Sequence, residues 1–215
     1  MILYVNGDSN SANRADGKFW TEKLQNYLNC DTINQASSGG SNPRILRTTY
    51  EFFRNHADTA CDFFVVIGWT SWEREEWFFQ DQFYQVNASG LDTVPEELKT
   101  RYTNWIADKE AICQINKSRQ LHKEIIDLHL MLKTLNVKHL FFNALMPFQH
   151  EVLSNSELRF DWKHNFIGPY ENDLSYYWFL KKQGYIADNN YHHTELAQLC
   201  WAEFLIEYIN KHNII

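Results

Sequence analysis

Gly7, Asp8 and Ser9 directly follow an apolar run, Ile2 to Val5, near the start of the chain. A serine at the end of a strand can act as a nucleophile when a base reaches its hydroxyl. The same three residues also favour an ordinary turn followed by a helix cap. Taken alone, they are compatible with both interpretations.

A candidate base lies near the other end of the chain, in the segment 188–195, just before the last predicted helix. This segment contains Asp188, His192 and His193. A histidine at the start of a helix and close to an aspartate suits a general base, because imidazole titrates near neutral pH. Two adjacent histidines also suggest a metal site, but neighbouring side chains diverge and no third ligand has a recognisable spacing. We therefore predict no metal.

Two further segments of small and polar residues follow predicted strands. The run from Asn34 to Asn42 is rich in glycine, which lets backbone N–H groups approach an anion closely. It lacks the Gly-Lys-Ser/Thr ending of a P-loop, and an oxyanion hole needs the same geometry for a smaller charge. A nucleotide-binding loop using residues 37–41 and an ordinary glycine-rich connection are the alternatives. The other segment runs from Ile67 to Ser71.

Short apolar runs alternate with helical patterns along the chain. Runs rich in β-branched and aromatic residues are typical of strands buried on both faces of a parallel sheet. The predicted strands are Ile2–Val5, Asp31–Asn34 (the weakest), Phe63–Ile67 and His139–Phe142. Apolar residues at helical spacing predict helices over 20–28, 45–56, 121–135 and 196–208, and a short one near 176–180. The alternation indicates βαβ units, and the polar segments fall at the strand ends, where open α/β sheets bind ligands.

We predict a single domain covering 1–215. Two of its segments, near 71–106 and 146–191, are not needed for the alternating strands and helices, and we predict that they are insertions. The first carries a set of aromatic residues that either stack on sugar rings or pack the insertion onto the body: Trp72, Trp77, Phe78, Phe79, Phe83 and Tyr84. In the helix predicted over 121–135, His122 and His129 lie seven residues apart, and we expect a solvated or half-buried face there.

Composition excludes several classes of protein. The 215 residues carry a net charge of −7 without a cluster of Lys or Arg, which argues against a nucleic-acid partner. The four cysteines form no close pair, which is typical of a reducing compartment. No apolar run approaches the roughly 20 residues that span a bilayer, so we predict no membrane partner. The first residues are interpreted as a strand rather than a signal peptide.

The four polar segments, in this order, resemble the four blocks of the SGNH (GDSL-type) hydrolase family. Gly7-Asp8-Ser9 matches the first block, whose serine is the nucleophile. Asn34 to Gly39 matches the second, whose glycine N–H lines the oxyanion hole. Gly68 to Ser71 lies where the family has Gly-x-Asn-Asp, and Asn189 to His192 lies where it has Asp-x-x-His. The resemblance covers nearly the whole chain.

The residues after the last block select one of the two histidines. His192 begins the spacing His-x-Thr-x-x-Ala-Gln, which resembles the family's ending and favours His192 over His193 as the base. Two positions depart from the pattern. Thr70 replaces the family's asparagine, and Asn189 replaces its aspartate, although Asp188 is one residue away and can supply a carboxylate.

The resemblance implies a three-layer α/β/α fold with a flavodoxin-like parallel sheet of about five strands. It implies a serine esterase without a cofactor, in which His192 activates Ser9 and Asn189 or Asp188 orients His192. The N–H groups of Ser9 and Gly39, helped by Thr70, would line the oxyanion hole. The expected substrate is a small acyl ester, for instance an O-acetyl group on a carbohydrate.

A different class of function remains open at the level of sequence. The two departures are compatible with a non-catalytic carbohydrate-binding or virion-associated protein on the same fold. The runs 39–45 and 67–71 also resemble family members encoded by bacteriophages. We therefore expect a cytoplasmic or virion-associated protein.

Overall fold

The computed structural model describes residues 1–13, 19–88, 90–108, 113–148, 159–189 and 191–215. The strands are β1 (Ile2–Asn6), β2 (Asp31–Asn34), β3 (Phe63–Trp69), β4 (Glu75–Phe79), β5 (Gln82–Val86), β6 (Lys138–Asn143) and β7 (Phe166–Ile167). The α-helices are α1 (Trp20–Leu28), α2 (Asn42–Asn55), α3 (Lys99–Ala107), α4 (Gln114–Thr134), α5 (Tyr176–Lys182) and α6 (Glu195–His212). Short 3₁₀ helices cover Ala57–Asp62, Leu91–Thr93, Glu96–Leu98 and Asn172–Leu174.

One parallel sheet has the strand order β2-β1-β3-β6-β7. β1 lies between β2 and β3, and its Val5 pairs with Asn34 on one side and with Val66 on the other. Because all pairings in this sheet are parallel, the carboxyl ends of the strands lie along one edge. The predicted three-layer fold with a flavodoxin-like sheet of about five strands is confirmed. The fifth strand, β7, has two residues and is too short to produce a visible apolar run.

Helices cover both faces of the sheet. Successive residues of β1 point to opposite sides, so Leu3 joins a core cluster with Trp20 of α1 and Trp201 of α6. Tyr4 joins the opposite cluster, with Ile45 of α2 and apolar residues of α4. Burial on both faces explains why these strands are continuous apolar runs rather than alternating ones. Within the described ranges, no helix has the length and apolarity needed to cross a membrane.

The segment 71–106 contains the antiparallel hairpin β4–β5 and helix α3. It has a small core of its own, formed by Trp77, Val86, Val94, Leu98, Tyr102 and Trp105. Packing therefore explains Trp77, whereas Phe78 and Phe83 are exposed, with ring centroids 4.9 Å apart. Arg47 of α2 ties the hairpin to the body, because its Nε and Nη2 each donate to the Glu76 carboxylate at 2.8 Å.

The histidines of α4 are buried, so the expected solvated or half-buried face is wrong. His122 is 0% exposed and His129 is 2% exposed. Aromatic rings from the chain after β6 cover this face of α4, and Trp162 lies against both imidazoles. His129 also forms a 2.8 Å hydrogen bond from its Nδ1 to Nε2 of His139.

This hydrogen bond requires a neutral imidazole as its acceptor. The Nδ1 of His139 lies 2.9 Å from the Val137 carbonyl, which can only accept, so Nδ1 carries the proton and Nε2 accepts from His129. Burial lowers the pKa values of His122, His129 and His139 to about 4 from an ordinary 6.5. Protonating His139 at Nε2 would set two donors against each other inside the core.

We expect the protein to lose stability on mild acidification. Because the folded-state pKa values of His122, His129 and His139 are below 6.5, the unfolded chain binds protons first. This contribution to stability is complete above about pH 6.5 and is lost as the pH falls toward 4. Thermal unfolding followed by circular dichroism between pH 7.5 and pH 4 measures the effect.

A pair of variants tests the source of this pH dependence. His122→Phe removes one buried titrating group, so its melting temperature should fall less steeply with acidification than that of the wild type. The exposed His56 provides the control, and His56→Gln should keep the wild-type slope. Equal slopes for the wild type and His122→Phe would contradict this account.

Candidate active site

Ser9 and His192 meet at the carboxyl edge of the sheet. The Nε2 atom of His192 lies 2.9 Å from the Ser9 hydroxyl oxygen, although the two residues are 183 positions apart in the chain. Ser9 is half-buried, and the His192 side chain is 21% exposed. A hydroxyl within hydrogen-bond distance of an imidazole is the arrangement that activates a serine nucleophile.

The end of β1 is fixed by the side chain of Asn6, which is fully buried. Its Nδ2 lies 2.8 Å from the hydroxyl of Thr48 and 3.0 Å from that of Thr49, both in α2. Its Oδ1 accepts the Gly7 N–H at 2.9 Å. A side chain at Gly7 would come within 2.7 Å of the Ser11 hydroxyl, so only glycine fits there. These contacts fix the backbone conformation at the end of β1, directly before Ser9.

Asp8 is fully buried. Its Oδ1 accepts the Asn10 N–H at 2.9 Å, and its Oδ2 accepts the Thr70 hydroxyl at 2.8 Å. Arg74 brings a cation to the same carboxylate, with Nη1 3.5 Å from Oδ2. A buried carboxylate is costly unless it is paired in this way, so Asp8 holds the loops after β1 and β3 together.

The glycine-rich loop after β2 packs directly against the turn that carries Ser9. The Ser37 N–H donates to the Gly7 carbonyl at 3.1 Å. A side chain at Gly40 would lie 2.9 Å from the Ser37 carbonyl and 3.1 Å from that of Gly7, so glycine permits this close approach. Gly39 has a φ of +70°, a left-handed conformation that glycine adopts without strain.

Asn42, the first residue of α2, links this loop to the loop after β3. Its Oδ1 accepts the Thr70 N–H at 2.9 Å, and its Nδ2 donates to the carbonyls of Thr70 and Ser71. The N-terminus of α2 is already occupied, because the N–H and the hydroxyl of Ser41 both donate to Gln85 of β5. This pairing argues against a phosphate at the loop and thus against the nucleotide-binding alternative.

His192 belongs to a tight loop that Asp188 closes. The Asp188 N–H donates to the His192 carbonyl at 2.8 Å, and the His192 N–H donates to Oδ1 of Asp188 at 2.9 Å. The other carboxylate oxygen, Oδ2, lies 3.7 Å from Nδ1 of His192, which is an ion-pair distance but too long for a hydrogen bond.

The two candidates for orienting His192 are Asp188 and Asn189. The carboxylate of Asp188 faces the imidazole of His192. Asn189 is exposed at the tip of the loop, and Asn190 lies outside the described residues. The Asp188 side chain is 53% exposed, so its charge is partly screened by water.

His193 points into the protein instead of toward Ser9. It is 7% exposed and packs against the rings of Tyr176 and Tyr177, with centroids 5.6 and 5.5 Å away. Burial lowers its pKa. The structure thus brings His192 and not its neighbour to the serine.

A cleft of about 640 Å³ is lined by Tyr191, the neighbour of His192, and by Arg74, which contacts Asp8, the neighbour of Ser9. One wall is aromatic and consists of Tyr177 and Trp178 of α5 and Tyr191, the residue before His192. Arg74, next to Asp8, also lines the cleft. Sequence reasoning did not single out Arg74, because nothing in the spacing of the segment 71–106 links it to Ser9. In the part of the chain that the structure describes, no three His, Cys, Asp or Glu side chains are grouped as a metal site requires.

Thr70 has a different role from the expected one. A hydroxyl has a single proton, and Thr70 donates it to the buried carboxylate of Asp8. The hydroxyl therefore has no proton left for an oxyanion, and we leave Thr70 out of the oxyanion hole.

One family model matches most of the chain. It is DUF6071, a family of unknown function, and the match covers residues 5–159. The chain belongs to this family. The matched range includes Ser9, Gly39 and Thr70, whereas His192 lies beyond it. No curated protein matches the chain.

Three solved structures match this DUF6071 chain over nearly its full length. The psychrotrophic esterase EstA from Pseudoalteromonas sp., inhibited by monoethylphosphonate, is 14% identical, with 98% of this chain and 97% of that chain covered and a TM-score of 0.56. TesA is 15% identical, with 100% of each chain covered and a TM-score of 0.54. A member of the lipolytic G-D-S-L family from Veillonella parvula DSM 2008 is 13% identical, with 96% of each chain covered and a TM-score of 0.50. At these identities the likeness shows the fold, which is that of the SGNH hydrolases.

The assignment of the Thr70 hydroxyl to Asp8 has a measurable consequence. Thr70→Val keeps the shape of the side chain but leaves Oδ2 of Asp8 without its closest donor in a buried site. We expect the free energy of unfolding to fall by about 1–3 kcal/mol, the usual cost of an unmet buried hydrogen bond. Thr70→Ser keeps the hydroxyl and serves as the control. Urea unfolding of the three proteins decides the matter, and equal losses in both variants would rule out a decisive role for this hydrogen bond.

Proposed function

We propose that this protein is a serine esterase in which Ser9 is the nucleophile and His192 is the general base. The observation that carries the proposal is the 2.9 Å contact between the Ser9 hydroxyl and Nε2 of His192. Asp188 supports proton transfer from Ser9 to His192. Its carboxylate near Nδ1 favours the tautomer with the proton on Nδ1, which leaves Nε2 free to accept.

In the acylation half of the reaction, the Ser9 oxygen attacks the ester carbonyl carbon while its proton moves to Nε2 of His192. The carbonyl electron pair moves onto oxygen, and the backbone N–H groups of Ser9 and Gly39 stabilise the resulting oxyanion. When the tetrahedral intermediate collapses, the bond to the alcohol oxygen breaks. His192 returns its proton to the departing alcohol, and the acyl group remains on Ser9.

Water completes the cycle. It attacks the acyl carbon while His192 removes one of its protons, and a second tetrahedral oxyanion forms in the same hole. Collapse breaks the bond to Ser9, which takes the proton back from His192 as the carboxylic acid leaves. Charge appears on the imidazolium and on the oxyanion together, and Asp188 partly compensates the former.

For the substrate, we propose a small acyl ester, with an O-acetyl group on a carbohydrate as the leading example. The cleft volume of about 640 Å³ is within the usual range for small-molecule sites. Its aromatic wall of Tyr177, Trp178 and Tyr191 suits a sugar ring, which offers an apolar face together with polar edges.

The second candidate is a non-catalytic carbohydrate-binding protein with the same cleft. The observation in its favour is the contact between Asp188 and His192, which at 3.7 Å is longer than a hydrogen bond. The two candidates differ in the reactivity of Ser9, because only an activated serine reacts with a fluorophosphonate.

We expect the protein to hydrolyse p-nitrophenyl acetate and to be labelled by a fluorophosphonate probe at Ser9. Ser9→Ala should abolish labelling and lower kcat by about 10⁴- to 10⁶-fold, as the loss of a triad nucleophile does. Its melting temperature should remain near that of the wild type, because Ser9 is half-buried and contributes one side-chain contact.

Ser11 provides a matched control for this experiment. It is a buried serine in the same turn, and its hydroxyl forms no hydrogen bond with His192 or any other described residue. Ser11→Ala should retain labelling and activity. A Ser9→Ala protein with a tenth of the wild-type rate would refute the nucleophile assignment, and an unlabelled wild type would favour the non-catalytic binding protein.

The acidic partner of His192 is tested by exchanging Asp and Asn at two adjacent positions. Asp188→Asn keeps the acceptor for the His192 N–H but removes the charge. We expect a loss of about 10- to 10²-fold in kcat, smaller than the roughly 10⁴-fold loss for a buried triad aspartate, because water screens the half-exposed Asp188. Asn189→Asp should change kcat by less than about threefold, because Asn189 is exposed at the loop tip and water screens its charge. A large gain from Asn189→Asp, without a loss from Asp188→Asn, would exclude Asp188 as the partner.

A further inference from the structure

The oxyanion hole described so far lacks a side-chain donor. The position of Thr70 corresponds by resemblance to an asparagine, whose amide has two N–H donors and can serve a carboxylate and an oxyanion together. The Thr70 hydroxyl has one proton, and it goes to Asp8. A charged side chain next to the same carboxylate is available instead.

That side chain is Arg74. Its Nη1 lies 3.2 Å from the Gly40 carbonyl and 3.5 Å from Oδ2 of Asp8. Gly40 follows Gly39, and Asp8 precedes Ser9, so the guanidinium lies beside both backbone segments that carry the proposed oxyanion N–H groups. The Arg74 side chain is 18% exposed and lines the cleft.

The guanidinium has donors beyond those used for these two contacts. It carries five N–H groups in a rigid plane. Among the described residues, its hydrogen bonds are the two made by Nη1, to Gly40 and to Asp8. The remaining N–H groups of Arg74 are thus available to a ligand in the cleft, while Asp8 fixes the position of the group from its buried side.

We propose that Arg74 is the side-chain donor of the oxyanion hole, in the place that Thr70 does not fill. The inference rests on the proposed esterase function of Ser9 and His192. As the bond from the Ser9 oxygen to the acyl carbon forms, the carbonyl electron pair moves onto oxygen, and Arg74 donates a hydrogen bond to that oxygen. Arg74 stays protonated throughout, since the Ser9 proton goes to His192.

Arg74 suits this task for two electrostatic reasons. A cation stabilises the full negative charge of the intermediate more than the weak dipole of the ester carbonyl, so it lowers the barrier rather than tightening substrate binding. The Arg74 side chain is also only 18% exposed, so water screens its charge less than that of a surface arginine. The buried Asp8 carboxylate balances the charge of Arg74 when the cleft is empty.

The test compares ordinary and thiono esters. Wild type, Arg74→Gln and Arg74→Lys are assayed with p-nitrophenyl acetate and with p-nitrophenyl thionoacetate, in which sulfur replaces the carbonyl oxygen. Sulfur accepts hydrogen bonds poorly, so an enzyme that uses the oxyanion strongly prefers the oxygen ester. Arg74→Gln should lower kcat for the oxygen ester by about 10²- to 10³-fold, the range for loss of one oxyanion donor, with little change in KM.

The ratio of the two rates separates a donor from a positioning residue. If Arg74 contacts the oxyanion, Arg74→Gln slows the thiono ester less, and the preference for oxygen shrinks at least about tenfold. Arg74→Lys keeps the charge but not the planar fork, and it should retain an intermediate rate and preference. This variant also keeps the test valid if Arg74→Gln folds poorly.

Arg47 serves as the matched control, because it is another arginine paired with a buried carboxylate, Glu76, but outside the cleft. Arg47→Gln should keep the wild-type kcat and preference. Equal slowing of both esters in the Arg74 variants, or a kcat above a third of the wild-type value in Arg74→Gln, would overturn the inference while leaving the esterase proposal intact. A wild type that neither hydrolyses the oxygen ester nor reacts with a fluorophosphonate would overturn both.

Discussion

The parallel pairing of β1 with two neighbours is the constraint on which the candidate site depends. β1 is hydrogen-bonded to β2 on one side and to β3 on the other, and all three strands run in the same direction. Their carboxyl ends, and with them the three polar loops, must therefore emerge at one edge. Burial of both sheet faces under helices prevents a register shift, because a shift by one residue would exchange the core environments of Leu3 and Tyr4.

The buried carboxylate of Asp8 is the second constraint on the site, because it holds two of these loops together. A carboxylate that is fully buried needs partners, and here they come from its own turn, from Thr70 and from Arg74. The same interactions that satisfy Asp8 set the distance between the loops after β1 and β3. The proposed catalytic serine, Ser9, is the next residue in the chain. The hydrogen bonds that the buried Asp8 carboxylate needs therefore also fix the position of Ser9.

The segment after β3 has a structural and a proposed chemical role. Its hairpin is fastened to α2 by the paired Arg47 and Glu76, and Gln85 of the hairpin covers the N-terminus of the same helix. The short stretch that leads into the hairpin carries Arg74 to the cleft. The aromatic residues of this segment have three environments: Trp72 packs against the main core, Phe79 and Tyr84 pack against the small core around Trp77, and Phe78 and Phe83 are exposed.

The sequence determined the fold class, four of the five strands of the parallel sheet, and the order of the loops at its edge, because strands buried on both faces leave continuous apolar runs and their ends leave glycines and polar residues. It also singled out Ser9 and His192 through motifs at strand and helix ends. Only the tertiary structure decided that Asp188 rather than Asn189 faces His192, that the Thr70 hydroxyl serves Asp8, and that Arg74 reaches the cleft. It also decided that His122 and His129 are buried, because rings from a distant segment cover α4. Each of these depends on where side chains from separate segments point, and one-dimensional spacing does not encode that direction.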